Sequence, residues 1–124
     1  MELRSGVQIY YKNKRPNLRD ILKKNLTNNL KNKIKELKVL DLNESDDIWE
    51  TVQIFEYIKQ KISIINRIQL NKIEIIKEEL IELGNSFMLF LENRIEEGER
   101  NDPVLFFRCY KCHYIIYRVL ELLK

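Results

Sequence analysis

The sequence predicts an all-α fold, a four-helix bundle, on three observations. Apolar residues recur at helical spacing in four separate stretches. Gly and Pro number only three and two in 124 residues, too few for a loop-rich or all-β chain. Helix-start residues stand ahead of the stretches, most clearly at Asp102–Pro103. The alternative keeps the second and third stretches as one long central helix, with the first and last packed on it and a dimer covering the exposed seam. Residues 1–16 read as a basic N-terminal arm and residues 17–124 as a single helical bundle domain.

In the arm, Val7, Ile9 and Tyr11 alternate between Gly6 and Pro16, which predicts a short extended segment. The first helix is expected from Asn17, its N-cap, to about Leu40. Leu18, Leu22, Leu26, Leu30 and Ile34 recur every four residues, so the stripe drifts around the helix. Asn25, Asn28, Asn29 and Asn32 weaken helix propensity and predict a bend or break near Asn28. The second helix is expected from a capping box at Asp47 and Glu50, with Ser45 as the other candidate cap. Its seam is Ile48, Val52, Phe55, Ile58, Ile62 and Ile65.

A break is expected near Gln69–Asn71, where Asn71 can cap and Leu70 and Ile75 can staple. The third helix then carries Ile73, Ile76, Leu80, Leu83, Phe87 and Phe90, with Gly84 inside it to allow close approach of a neighbour. Gly98 to Asp102 reads as a turn. The fourth helix has Asp102 as N-cap and Pro103 at N1. It is apolar on nearly every side, with Phe106, Phe107, Tyr110, Tyr114 and Tyr117, which predicts burial at a bundle centre or in an oligomer interface.

Charge divides the chain. Residues 1–40 hold eleven Lys/Arg against three acids, a balance of +8, while the remainder hold eleven against sixteen, a balance of −5. The basic half predicts an acidic partner: nucleic acid, an acidic protein surface, or the acidic half of this chain or a second copy. Lys12, Lys14, Arg15, Arg19, Lys23 and Lys24 are the candidate polyanion-binding residues, with Tyr10 and Tyr11 placed to stack on bases. The plain alternative is a solvated lysine-rich helix face. No helix-turn-helix, zinc-finger or RNA-recognition signature accompanies the charge.

No apolar stretch reaches the ~18 residues of a membrane span without a charge. The first eleven residues lack the apolar core of a secretion signal. The expected location is therefore intracellular, in cytoplasm or virion, with no membrane partner and both cysteines reduced.

Cys109-Tyr110-Lys111-Cys112-His113 is a C-x-x-C-H motif holding both cysteines and the single histidine. On a helix the three soft ligands share one side. The motif resembles that of cytochromes c and, with the expected bundle, the cytochrome c′ group. That resemblance implies covalent haem on Cys109 and Cys112 and iron ligation by His113. The chain departs from the group in lacking an export signal and in surrounding the motif with bulky aromatics. A zinc site would need a fourth ligand beyond these three. A redox pair would need a thioredoxin-like setting that the chain lacks. The reading adopted is no cofactor, the three residues being packed in a crowded helix, with covalent haem or zinc as the alternative.

Carboxylates such as Glu74/Glu78, Glu78/Glu82 and Glu92/Glu96 align on helix faces, but no Glu-x-x-His pair accompanies them, so they read as surface. No Gly-rich phosphate loop is present, and no enzymatic activity is expected.

The opening Arg4-Ser5-Gly6-Val7-Gln8-Ile9-Tyr10-Tyr11 resembles the R-S-G-x-x-Y start of small uncharacterised proteins of giant DNA viruses. The Lys, Asn and Ile richness is similar to that of proteins from such AT-rich genomes. The resemblance covers about ten residues and implies a viral protein, with no functional residue attached. The function expected is that of a non-enzymatic helical interaction or structural protein. It oligomerises with itself through the fourth helix or the second and third helices' seam, and its basic half meets an acidic partner.

Overall fold

The computed structural model describes residues 17–67, 74–98 and 102–124. Among them are four helices, α1 (Leu18–Lys38), α2 (Ser45–Arg67), α3 (Glu74–Gly98) and α4 (Pro103–Leu122), and no strand. The N-terminal arm, with Lys12, Lys14 and Arg15, lies outside the described residues. So do the Asn71 cap and most of the turn before Asp102, and the Leu70–Ile75 staple cannot be placed.

Two starts follow the capping chemistry of the sequence. Asn17 is extended, and its side chain accepts from the Asp20 N–H at 3.1 Å. The Asp102 carboxylate accepts from the Val104 and Leu105 N–H groups, both at 3.1 Å, and Pro103 takes N1. The start of α2 corrects the sequence reading. The helix begins at Ser45, so Ser45 and Asp47 both sit inside its first turn. The Asp47 carboxylate instead turns back and accepts from the Asp41 N–H at 2.8 Å, while Asp41 accepts from Asn43. Satisfying the connection's own donors takes the acid that the capping box had claimed. The expected break near Asn28 is also absent. α1 runs unbroken through the Asn residues, because Leu26 and Leu30 on either side are buried in the core and hold the turn.

α4 packs along both α2 and α3, α1 packs on α2 and touches α3, and α1 and α4 face each other across a diagonal. α4 runs parallel to α2: Arg108 reaches Ser45 and Asp46 at one end, and Asn66 donates to the Leu122 carbonyl at the other. It runs antiparallel to α3, where His113 meets Glu92 and Leu120 lies over Gly84. Because α2 and α3 flank α4 in opposite directions, they are two helices of one bundle, and the single long central helix is excluded.

The α2 seam read from the sequence is buried at every position, from Ile48 to Ile65. Each such side chain contributes about 1.5–3 kcal/mol relative to exposure. Phe55 meets Phe87 of α3 edge to face across the core, with ring centres 6.3 Å apart. Thr51, the one buried polar residue among those described, returns its hydroxyl to the Asp47 carbonyl at 2.8 Å. A Cβ built on Gly84 would lie 3.1 Å from a Leu120 methyl and 3.2 Å from an Ile116 methyl. The glycine thus permits the close approach of α3 to α4 that its place in the helix suggested.

Candidate functional site: the two faces of α4

The inner face of α4 is Cys109, Cys112, Ile115, Ile116 and Val119, all in the core. The C-x-x-C-H motif is split by this arrangement. Both thiols are in the core, while the His113 imidazole sits at the helix edge with Nε2 3.0 Å from a Glu92 carboxylate oxygen of α3. Burial raises the Cys112 thiol from its ordinary 9.0 to about 12, with the neighbouring Cys109 adding to the effect. Burial also raises Cys109, against the opposing pull of Arg94. Thiolates are the metal ligands and nucleophiles, so this environment holds both groups in their inert form. Among the described residues no three His, Cys, Asp or Glu side chains are gathered as a metal cluster. Both sulfurs of the motif that resembles a haem attachment thus lie in the core, with the imidazole at the helix edge.

The outer face is apolar as well, yet it is open. Phe107, Tyr110, Tyr114 and Tyr117 are 57%, 61%, 55% and 47% exposed, and Val104 begins the same line. Their steps of 3, 4 and 3 make a straight seam along the helix. Only part of the expectation for this helix therefore holds. Its inner side is at the bundle centre, and its aromatic side is uncovered in the single chain. The sequence shows these rings without separating them from the core set. The signal was available, since the rings lie half a turn from Cys109, Cys112, Ile116 and Val119.

The rim of this face combines residues noted in the sequence, His113 and Glu92, with Arg108, which the sequence does not single out. On the α2 side, the Arg108 guanidinium lies over the Trp49 ring at 5.7 Å and donates to Ser45 Oγ and Asp46 Oδ1, each at 3.0 Å. Farther along that side a shallow groove is lined by Glu56, Gln60, Ser63, Ile64, Arg67 and Ile115. On the α3 side stand His113 and Glu92.

The candidate polyanion residues fall elsewhere. Arg19, Lys23 and Lys24 lie on the first two turns of α1, where Leu18, Ile21 and Leu22 are exposed and burial begins only at Leu26. Farther along α1 some of the positive charge is used within the molecule. Lys38 pairs with Glu79 of α3, and Lys33 pairs with Glu36 and lies over the Tyr57 ring at 5.2 Å. Among the described residues no helix is long and apolar enough to cross a membrane. No family model, curated protein or solved structure matches this chain.

Proposed function

We propose that this chain is a non-enzymatic helical interaction protein that works through the outer face of α4. The observation that carries the reading is the seam of four exposed aromatics on a helix whose opposite side forms the core. At roughly 150–250 Å² per ring, four rings about half exposed present on the order of 300–500 Å² of largely apolar surface. The largest apolar patch on a typical single chain is about this size and is often functional. Tyrosine suits the role, with a broad apolar ring and a hydroxyl that stays wet when the surface is free. The rigid bundle behind the seam holds it in place, so little ordering is lost on contact.

The basic turns of α1 form the second half of the proposal. Arg19, Lys23 and Lys24, together with the basic arm before them, direct the molecule toward an acidic partner, with exposed Leu18 and Leu22 adding apolar contact. The test places a photo-activatable cross-linking residue at Tyr110 or Tyr114 in the chain's native cells, with exposed Glu78 of α3 as control. Cross-links to a macromolecule from the α4 positions and none from position 78 are expected. Equal yields from all three, or none from any, would remove the reading.

A further inference from the structure

We infer that the outer face of α4 is covered by the same face of a second copy of this chain, the two α4 helices running antiparallel about a two-fold axis level with Cys112. This rests on the reading of that face as a contact surface and names its occupant. Three observations lead there.

The first is register. The steps of 3, 4 and 3 read the same in both directions along the helix. An antiparallel copy therefore sets Phe107 opposite Tyr117 of the second copy and Tyr110 opposite its Tyr114, ring against ring at every position. Self-complementarity of one patch is what a two-fold interface requires. The charged residues Lys111 and Arg118 border the line of rings on its α2 side and leave the rings themselves contiguous.

The second is area. Both copies together remove about 600–1,000 Å² through the rings alone, against the ~1,200 Å² at the lower end of stable interfaces. Val104, 58% exposed, and the half-buried Phe106 border the rings and add to that area.

The third is charge. Asp46 is 98% exposed at the side chain although Arg108 holds one of its oxygens. Arg118 is exposed on the same α2 side of the seam and makes no ion pair among the described residues. In the antiparallel register Arg118 falls opposite position 106 of the second copy, on the side that carries its exposed Asp46, and symmetry makes the contact twice. Two features oppose the pairing: Arg118 also nears Arg108 of the second copy, and Lys111 of both copies comes to the same side of the axis. In a parallel arrangement Lys111 would instead approach the Glu92 side of the second copy, so this lysine distinguishes the two directions.

The experiment is sedimentation equilibrium of the full chain combined with cysteine trapping. The chain is expected to approach twice its 15.1 kDa mass at concentrations of tens of micromolar and above. Tyr110→Glu should weaken association at least ~10-fold, since it buries a charge among rings. Lys111→Gln should tighten it roughly twofold by removing the like-charge pair. Under mild oxidation, Tyr110→Cys mixed with Tyr114→Cys should form a 110–114 bond between chains, and neither variant alone should cross-link efficiently. Circular dichroism checks that each variant stays helical, and the same trapping at Phe107→Cys with Tyr117→Cys provides a second readout. A bond formed by Tyr110→Cys alone, or weakening by Lys111→Gln, would overturn the antiparallel register. A monomer at every concentration that still photo-cross-links to another macromolecule from Tyr110 would overturn self-pairing and leave the contact reading standing. A monomer with no such cross-link would remove both.

Discussion

The two sides of α4 are both lined by side chains with apolar bodies, and they have opposite fates. Cys109, Cys112, Ile116 and Val119 are enclosed by α2 and α3, whereas Phe107, Tyr110, Tyr114 and Tyr117 on the other side face solvent. The inner residues are small or branched, and their helix comes close enough to α3 to need Gly84 in the contact. The outer residues are large rings, three of them with a hydroxyl. Bulk and a polar tip suit a surface that is wet when free and covered when bound, and compactness suits a core that is always dry. Apolar content alone therefore does not report burial; the size and chemistry of the apolar residues separate the two sides.

The comparison breaks most visibly at Ile116. Its fully buried side chain touches the Gly84 site, so Ile116→Ala should destabilise the chain by about 2–5 kcal/mol in urea unfolding. A loss under 1 kcal/mol would mean that α3 and α4 are not in close contact. Cys112→Ser comes next, because it places a hydroxyl in the space of a buried thiol and should cost about 1–3 kcal/mol, more than Cys112→Ala.

The same residue gives a pH dependence. The folded thiol is raised from its ordinary 9.0 to about 12, so its contribution is fully present below pH 9 and is lost as pH rises toward 12. The urea midpoint of the native chain should fall across that window more steeply than that of Cys112→Ala. Parallel curves would contradict the burial of the thiol.

Gly84→Ala sharpens the contrast at smaller scale. Alanine gains up to ~1 kcal/mol in helix propensity but must push on two methyl groups, one on a stiff branched side chain. Overpacking should win, for a net loss of about 1 kcal/mol. On the outer face, Tyr114→Ser should leave the stability of the single chain within about 0.5 kcal/mol, as surface substitutions do.

Much of the fold was legible because the relevant signals are local. The Ile48-to-Ile65 seam is a pure periodicity, and Asn17 and Asp102–Pro103 cap by contacts within three residues. What the sequence misplaced depended on distant partners. Asp47 reads as a cap until Asp41 is seen to claim its carboxylate. The Asn-rich stretch reads as a break until Leu26 and Leu30 are seen in the core. Cys109, Cys112 and His113 read as packed in a crowded helix, with a three-ligand set as the alternative. Only the packing of α3 shows that the thiols enter the core while the imidazole turns to Glu92. The aromatic side of α4 was visible as composition but not as a surface, because which half of an all-apolar helix faces inward is decided by its neighbours.

The most direct test of the central claim, that one side of α4 holds the fold and the other pairs with a second copy, is thermal unfolding as a function of protein concentration. The native chain and Tyr110→Ser/Tyr114→Ser should be compared between about 1 and 100 μM. Association stabilises the folded form by mass action. The native midpoint should therefore rise with concentration, and that of the variant should stay flat at the native low-concentration value. A midpoint independent of concentration for the native chain, or a variant several degrees lower even at 1 μM, would contradict the account.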